Sequence, residues 1–444
     1  MKNIIYMHTH DSGRYWSPYG YALPTPNLMA LARQGTLFRQ CYCAGPTCSP
    51  SRAALLTGMN PHSCGMQGLA SRGWQLNDYS KHLAAYLGQN GYETALCGIQ
   101  HEAPDHRMIG YKRVLGSQEF SMDQTEQSME EWDFSNTRAA CAFLRGPHEN
   151  EPFFLSMGWF NTHREYPKAK SDIDPAYLAP PLPLYDCETN RRDMADYHES
   201  VRVVDDCVGM LLTALEEAGL AGDTLVVMTT DHGIAFPQMK CTLYDTGIGV
   251  GLILRYPGNP SAGQATDALV SQLDLYPTLC QWADLPLPAW LEGHSLLPLL
   301  EGRCTEVRQE IFAEVTYHAA YEPKRCIRTQ RYKLIRFYDE HNGIVPANID
   351  ECPSKDLLLQ NGFGSHTRVR EYLFDLWLDA PERENLAADP AHQAVYTDLS
   401  RRLEAWMKAT DDPLLKYGSR VPKPAGARVN RLTCENPRLL DFED

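Results

Sequence analysis

Short apolar runs alternate with amphipathic stretches through the first two-thirds of the chain, a pattern typical of a mostly parallel α/β sheet. The apolar runs predict strands at residues 3–8, 93–99, 153–160, 225–230 and 249–255. Apolar positions at helical spacing predict helices at residues 26–34, 79–90 and 194–218. The predicted fold class is therefore α/β, with a large, mostly parallel mixed sheet flanked by helices.

The final third of the chain shows a different pattern. A segment rich in Leu and Pro at residues 284–303 predicts a linker with a short helix. Beyond it, alternating residues predict antiparallel strands and a last helix, at residues 310–315, 325–329, 332–338, 372–378 and about 391–409. Two segments rich in Pro, Asp and Tyr, 104–150 and 164–192, are predicted to be irregular insertions. The chain thus divides into an α/β domain at 1–303 and a smaller α+β subdomain at 304–444.

Charge and composition limit the classes of partner. The chain has 444 residues with 41 basic and 56 acidic side chains, and its net charge of −15 argues against nucleic acid as a ligand. No apolar stretch approaches the roughly 18 residues of a membrane span, so no membrane partner is expected. The first residues lead directly into a strand and do not resemble a signal peptide, which predicts a cytoplasmic location. Fourteen scattered cysteines then predict small buried thiols.

Titratable residues follow four of the predicted strands. The strand at 3–8 is followed by His10 and Asp11, and the later strands by His101, His163, Asp231 and His232. Ligands of open α/β sheets bind beyond the carboxyl ends of the strands, so these side chains are expected to share one pocket. Any one of these histidines alone would be equally well explained as a structural or solvated residue. Asp11, Asp231 and His232 are predicted metal ligands, because carboxylates and imidazole bind divalent cations.

Cys48 stands at a predicted helix start, with Ser49 as the N-cap and Pro50 as the first helical residue. Backbone N–H groups at a helix start bind anions and lower the pKa of a thiol. Arg52 adds a cation one turn further along. This pattern favours a nucleophile that acts on an anionic group, although a buried structural cysteine would have the same sequence.

The run from Cys48 through Pro50, Ser51 and Arg52 to Leu-Thr-Gly at 56–58 resembles the signature of the type I sulfatases, in the alkaline phosphatase superfamily. Further stretches resemble the heparan N-sulfatase (sulfamidase) branch: Gly-Met-x-Gly-Leu at 65–69, Asp-x-Gly-Ile-x-Phe-Pro at 231–237 and Glu-Val-Thr at 314–316. The resemblance implies a sulfatase-like fold, in which residues 1–303 form the catalytic domain.

The resemblance also implies the cofactors. The cysteine of the signature is oxidised to formylglycine (3-oxoalanine) by a separate maturation enzyme, and one divalent cation, Ca²⁺, is held against it. The implied ligands in this chain are His10, Asp11, Cys48, Asp231 and His232. His10 stands where the family has a carboxylate, which leaves room for a softer ion.

Other residues are implied to bind the sulfate. Lys240 matches a family cation that binds sulfate, His163 a histidine that touches the sulfate, and His101 a histidine near the formylglycine. In the expected mechanism Lys240 and Arg52 hold the sulfuryl oxygens, and His163 or His101 protonates the leaving oxygen or nitrogen. Two family cations are replaced, by Met59 and by Ile99. A third group is predicted to line the outer wall of the pocket or, equally, to be surface charges of a β-hairpin: His318, Arg325 and Arg328.

The expected activity is hydrolysis of a sulfate ester or sulfamate on a small substrate, either a sulfated saccharide or an aryl sulfate. Three alternatives stay open: a phosphonate monoester or phosphodiester hydrolase of the same superfamily, a catalytically silent binding protein, and a hydrolase that uses the Cys48 thiol directly. The sequence defines neither the sugar nor the choice between O- and N-sulfate. A homo-oligomer is also left open.

Overall fold

Two sheets organise the chain in the computed structural model, which describes residues 2–117, 126–148, 151–439 and 441–443. The larger sheet has eight strands: β1 (Asn3–Thr9), β2 (Thr36–Tyr42), β3 (Glu93–Gly98), β4 (Arg113–Leu115), β5 (Phe153–Gly158), β6 (Thr224–Thr230), β7 (Leu252–Arg255) and β8 (Gln264–Ser271). The smaller sheet has four: β9 (Glu310–Tyr317), β10 (Tyr321–Thr329), β11 (Tyr332–Phe337) and β12 (Glu371–Asp375). The predicted fold class is confirmed.

Helices cover the sheets. They are α1 (Pro26–Gln34), α2 (Cys48–Thr57), α3 (Pro61–Cys64), α4 (Leu83–Gln89), α5 (Glu126–Leu144), α6 (Glu188–Glu217), α7 (Asp245–Ile248), α8 (Leu275–Trp282), α9 (Leu297–Leu300), α10 (Pro353–Gln360), α11 (Gln393–Ala409) and α12 (Pro413–Tyr417). The long α6 buries Val204, Val208, Leu211 and Leu215 along one face, as their spacing predicts. Within the described part of the chain, no helix has both the length and the apolar character of a transmembrane segment.

The order of the larger sheet, β4-β3-β5-β1-β6-β7-β2-β8, places the four strands with titratable ends side by side. Strands β3, β5, β1 and β6 run parallel, and Ile4 of β1 lies opposite Phe154 on one side and Leu225 on the other. These strands are almost entirely buried, as expected for a sheet with helices on both faces. Their carboxyl ends therefore meet at one edge, where the sequence places the candidate site.

Several elements differ from the prediction. Strands β2, β4 and β8 and helix α5 were not predicted, and β4 and α5 lie in the segment 104–150 that was expected to be irregular. Residues 118–125 and 149–150 of that segment lie outside the described residues. The predicted helix at 79–90 is interrupted because His82 is extended, and its Nδ1 accepts a hydrogen bond from the backbone N–H of Ala84. In sequence, all strands of the larger sheet precede residue 303 and all strands of the smaller sheet follow it. The division into domains at 1–303 and 304–444 stays a prediction.

A buried charged network joins the smaller sheet to the helices around it. Arg325 of β10 forms a bidentate pair with Asp412, at 2.6 and 3.0 Å, and its Nη2 lies 3.1 Å from Glu314 of β9. The other oxygen of Glu314 lies 2.8 Å from Nδ1 of His62, on α3. Burial lowers the pKa of His62, but Glu314 and Asp412 outweigh it and raise the pKa above the usual value.

This network predicts a pH dependence of stability. Because folding raises the pKa of His62, its contribution is fully present below about pH 6.5 and is lost as the pH rises through the higher folded-state pKa. The difference in unfolding free energy between the wild type and His62→Gln should therefore shrink between about pH 6 and about pH 9. Urea unfolding at both pH values measures it, and a difference that stays constant with pH would contradict the assignment.

Candidate active site

The turns that follow β1 and β6 pack directly on each other. Gly13 has φ of 54°, and a Cβ on this residue would lie 3.2 Å from the Cα of Gly233, so the close approach favours glycine. The backbone N–H of Gly13 donates to the carbonyl of His232 at 2.8 Å, and that of Asp11 donates to Oδ1 of Asp231 at 2.9 Å. The two turns thus bring two carboxylates from distant parts of the sequence together.

Cys48 begins helix α2 and is buried, with 4% of its surface exposed. The residue before the helix is Thr47, so the prediction of Ser49 as N-cap is wrong. The hydroxyl of Ser49 instead accepts a hydrogen bond from the backbone of Ala70 at 3.0 Å. The loop ahead of Cys48 is held from two sides: the N–H of Glu314 donates to Ala44, and the N–H of Cys241 donates to Pro46, both at 2.9 Å. Every residue from 41 to 58 is buried.

Four predicted metal ligands converge. The ligand atoms of His10, Asp11, Cys48 and Asp231 all lie within 4.8 Å of one another. Nε2 of His232, the fifth predicted ligand, lies 3.3 Å from Oδ1 of Asp11. Both ring nitrogens of His10, Oδ1 of Asp11 and Nε2 of His232 are buried without a hydrogen-bond partner among the described residues. Buried polar atoms rarely lack a partner, so this donor set fits a divalent cation.

Arg52 holds one member of this ligand cluster, Asp231, in place. Its Nε and Nη2 lie 3.2 and 3.0 Å from Oδ2 of Asp231, Nη2 also donates to the carbonyl of Thr9 at 2.9 Å, and Nη1 contacts Nδ1 of His8. All three guanidinium nitrogens are therefore engaged by protein groups. These contacts position Asp231, and the expectation that Arg52 also holds sulfuryl oxygens stays a prediction.

Electrostatics at the cysteine also differ from the prediction. Burial raises the pKa of the Cys48 thiol well above its usual value, and Asp11 and Asp231 raise it further against the opposing effect of Lys240 and Arg52. The expected lowering of this pKa is wrong, because desolvation outweighs the helix start and the cations. Burial alone would raise the pKa of Asp231, but His232, Arg52 and His10 lower it well below its usual value.

The predicted sulfate-binding lysine lies beside the cluster. Nζ of Lys240 lies 3.0 Å from Oδ2 of Asp11 and 2.8 Å from Oδ2 of Asp350. Burial opposes the charge on Lys240, but the two carboxylates raise its pKa well above the usual value. Asp350 was not predicted, since it lies in an irregular segment with no motif around it.

The two predicted histidines surround the cluster as well. The ring centre of His10 lies 4.7 Å from that of His101 and 5.3 Å from that of His163. Desolvation, Arg52 and His163 lower the pKa of His101 to about 3, so its imidazole is neutral. Nδ1 of His163 bonds the carbonyl of Arg164, which leaves Nε2 as the nitrogen available for proton transfer. Ile99, at the family lysine position, packs in an apolar cluster and supplies no cation.

Three residues were predicted for the outer wall of the pocket, and two of them lie elsewhere. Arg325 belongs to the buried network with Asp412, and Arg328 lies 3.2 Å from Asp245. Both arginines form structural ion pairs, so the prediction that they line the pocket is wrong. Their partner carboxylates are 87 and 83 residues away in sequence, which is why the pairs could not be predicted. His318 is within electrostatic reach of the site, since burial lowers its pKa and Lys240 lowers it further, and its place on the pocket wall stays a prediction. It is 7% exposed, and its Nδ1 has no hydrogen-bond partner in the described part of the chain.

Comparison with known proteins agrees with this geometry. The sulfatase family matches residues 2–285, and the family described as N-sulphoglucosamine sulphohydrolase, C-terminal, matches residues 235–355. Human N-sulphoglucosamine sulphohydrolase is 29% identical over 93% of this chain and 91% of its own length. An ulvan-active sulfatase of Formosa agariphila is 27% identical over 98% of this chain and 86% of its own length.

Solved structures share the fold. A complex with D-glucosamine-2-N,6-O-disulfate superposes with a TM-score of 0.70 and 21% identity, over 93% of this chain and 98% of its own. A phosphonate monoester hydrolase from Silicibacter pomeroyi gives 0.71 and 20%, over 93% and 97%. At these identities the structures show the fold alone. With a family match that covers most of the chain, the protein belongs to the sulfatase family, in the alkaline phosphatase superfamily, and is a sulfuric ester hydrolase.

Proposed function

We propose that the protein releases inorganic sulfate from a small sulfated saccharide, with Cys48 converted to formylglycine and Ca²⁺ as the divalent cation. The observation that carries this proposal is the convergence of His10, Asp11, Cys48 and Asp231 within 4.8 Å. Two relatives are named for sulfated sugars: the human N-sulphoglucosamine sulphohydrolase and a Δ4,5-hexuronate-2-O-sulfatase of Bacteroides thetaiotaomicron. Both names support a saccharide as the substrate class.

The proposed cofactors supply the nucleophile. With Cys48 converted to formylglycine and a cation held by His10, Asp11 and Asp231, the pair would supply an activated oxygen nucleophile for attack on sulfur and a second hydroxyl for sulfate release. Two carboxylates, Asp11 and Asp231, favour a hard cation such as Ca²⁺, whereas the imidazole of His10 also suits transition metals. Elemental analysis of the purified protein therefore tests the identity of the ion.

The side chains around position 48 have separate roles in the proposed reaction. Lys240 stabilises the negative charge of the sulfuryl oxygens, since its Nζ is buried beside the predicted metal ligand Asp11. His163 gives a proton from Nε2 to the leaving oxygen or nitrogen. Arg52 fixes Asp231 through its two contacts. For a sulfamate the S–N bond breaks and an S–O bond forms: R–NH–SO₃⁻ and water give R–NH₃⁺ and SO₄²⁻.

A substrate panel tests the proposed function. The panel contains glucosamine N-sulfate, glucosamine 6-sulfate, a hexuronate 2-sulfate, 4-nitrophenyl sulfate and phenylphosphonate, and the protein is made in a host that contains a formylglycine-generating enzyme. We expect sulfate release from at least one sulfated sugar, loss of activity after chelation and recovery with Ca²⁺. Turnover of the phosphonate alone would contradict the proposal and support the superfamily alternative.

Replacing Lys240 tests its role. We expect Lys240→Ala to lower kcat/KM by roughly 10²–10³-fold, the usual cost of one preorganised charge-stabilising donor. Lys333 provides a matched control, because it is also a buried lysine between two carboxylates, Asp245 and Glu382, but lies in the smaller sheet. Lys333→Ala should lower the unfolding temperature without a comparable loss of kcat/KM. A loss below about threefold for Lys240→Ala would show that the ammonium does not act on the sulfuryl group.

A further inference from the structure

Asp350 is a charged group of the active site that the proposed reaction does not use. It follows the third strand of the smaller sheet in sequence, and its Oδ2 lies 2.8 Å from Nζ of Lys240. Lys240 also pairs with Asp11, so a single lysine separates Asp350 from the predicted metal ligands. The side chain of Asp350 keeps 20% of its surface exposed, against 4% for Lys240.

A second buried polar group, His318, is within electrostatic reach of Asp350. His318 is 93% buried, and no hydrogen bond to its Nδ1 occurs among the described residues. Burial lowers the pKa of His318 well below its usual value; Lys240 lowers it further, and Asp350 opposes this effect. The same electrostatic neighbourhood acts on Asp350: burial opposes its ionisation, but Lys240, His163 and His318 lower its pKa. The measured contact in this group is the ion pair of Asp350 with Lys240, which places the carboxylate one side chain away from the predicted sulfate position.

A carboxylate at this place is unusual for an enzyme with anionic substrates. Oδ2 of Asp350 is buried and, among the described residues, has no hydrogen-bond partner in addition to the ion pair, and a buried polar atom without a partner costs about 1–3 kcal/mol. A carboxylate accepts hydrogen bonds, so a ligand that supplies donors would satisfy it. A carboxylate or second sulfate at the same place would lie against the negative charge of Asp350, and such like-charge contacts are a common source of discrimination.

We infer that Asp350 is a specificity-determining residue, whose carboxylate accepts hydrogen bonds from hydroxyl or amino groups next to the scissile sulfate and disfavours substrates with a second anion there. This inference rests on the proposed function and names the substrate class for the same site: sulfated sugars with neutral or cationic neighbours rather than sulfated uronates. The smaller α+β part of the chain therefore contributes a residue that selects the substrate.

The test compares three substrates with the wild type and with Asp350→Asn, which keeps the size of the side chain and removes its charge. The substrates are glucosamine 6-sulfate, a hexuronate 2-sulfate and 4-nitrophenyl sulfate, which has no ring donors. We expect the wild type to prefer the amino sugar over the uronate. Asp350→Asn should lower kcat/KM for the amino sugar by at least about tenfold and change that for the aryl sulfate by less than about threefold. The ratio of amino sugar to uronate should fall accordingly.

A matched control variant is Glu382→Gln, since Glu382 also pairs with a buried lysine, Lys333, at 2.8 Å. It should leave the substrate ratios unchanged. An equal fall on all three substrates in Asp350→Asn would overturn the inference, because it would show that Asp350 acts only by positioning Lys240. A wild type that prefers the uronate would also overturn it. Absence of sulfate release from all three substrates and also from glucosamine N-sulfate would instead overturn the proposed function.

Discussion

Cys48→Ala should release no measurable sulfate, a loss of roughly 10⁴-fold or more, as for removal of the nucleophile in other covalent enzymes. The side chain at this position lies within 4.8 Å of the ligand atoms of His10, Asp11 and Asp231, where the proposed nucleophile must stand. Sulfate release by ion chromatography measures the loss. In the active wild type, peptide mass analysis should show residue 48 about 18 Da lighter than cysteine, the difference between thiol and aldehyde.

The control for this prediction is another buried cysteine. Cys280, on α8, is fully buried in the core, and Cys280→Ala should keep its turnover while losing some stability. Iodoacetamide distinguishes the formylglycine enzyme from the alternative of a thiol-dependent hydrolase. It would inactivate an enzyme that uses the Cys48 thiol directly, whereas an enzyme with an aldehyde at this position would stay active. A Cys48→Ala protein that kept more than a few per cent of the wild-type rate would refute the role of this residue.

Asp231→Asn should lower kcat/KM by at least about 10³-fold and also destabilise the fold by about 3–5 kcal/mol. The wild-type carboxylate accepts backbone hydrogen bonds from Asp11 and His232 through one oxygen and pairs with Arg52 through the other. The amide keeps one acceptor oxygen but leaves the buried guanidinium without its counter-charge. Elemental analysis should show loss of the bound cation, and urea unfolding measures the stability.

The stability loss must be separated from the activity loss. Asp412 makes an equally buried pair with Arg325, at 2.6 and 3.0 Å, but belongs to the network of the smaller sheet. Asp412→Asn should therefore lose a comparable amount of stability and retain its cation and most of its rate. If Asp231→Asn bound the cation as tightly as the wild type does, the proposed ligand set would be wrong.

The sequence was most informative where local pattern and topology agree. Parallel strands expose their carboxyl ends at one edge, so the convergence of the polar residues after β1, β3, β5 and β6 could be expected from the sequence alone. Strand β8 could not be recognised, because its first half is largely exposed and polar at the edge of the sheet. Helix α5 lacks a strong apolar stripe and therefore resembled an irregular insertion.

The side chains that were misplaced depend on partners far away in sequence. In the sequence, Arg325 and Arg328 stand in a run whose apolar and polar residues alternate as in an exposed hairpin. Only the folded chain brings Asp412 and Asp245 against these two arginines. Asp350 likewise reaches Lys240 from a distant part of the sequence, with no motif to mark it. The raised pKa of Cys48 could not be predicted either. It results mainly from burial, and a helix start in the sequence does not indicate whether the residue is buried.

The burial of residues 41–58 constrains when the proposed oxidation of Cys48 can occur. Glu314 and Cys241 hold the loop ahead of α2 in the folded chain, so the native thiol is enclosed by protein. We therefore expect the proposed conversion to take place on the nascent or unfolded polypeptide. On this proposal the catalytic yield of a preparation would be set during synthesis, before the native state exists.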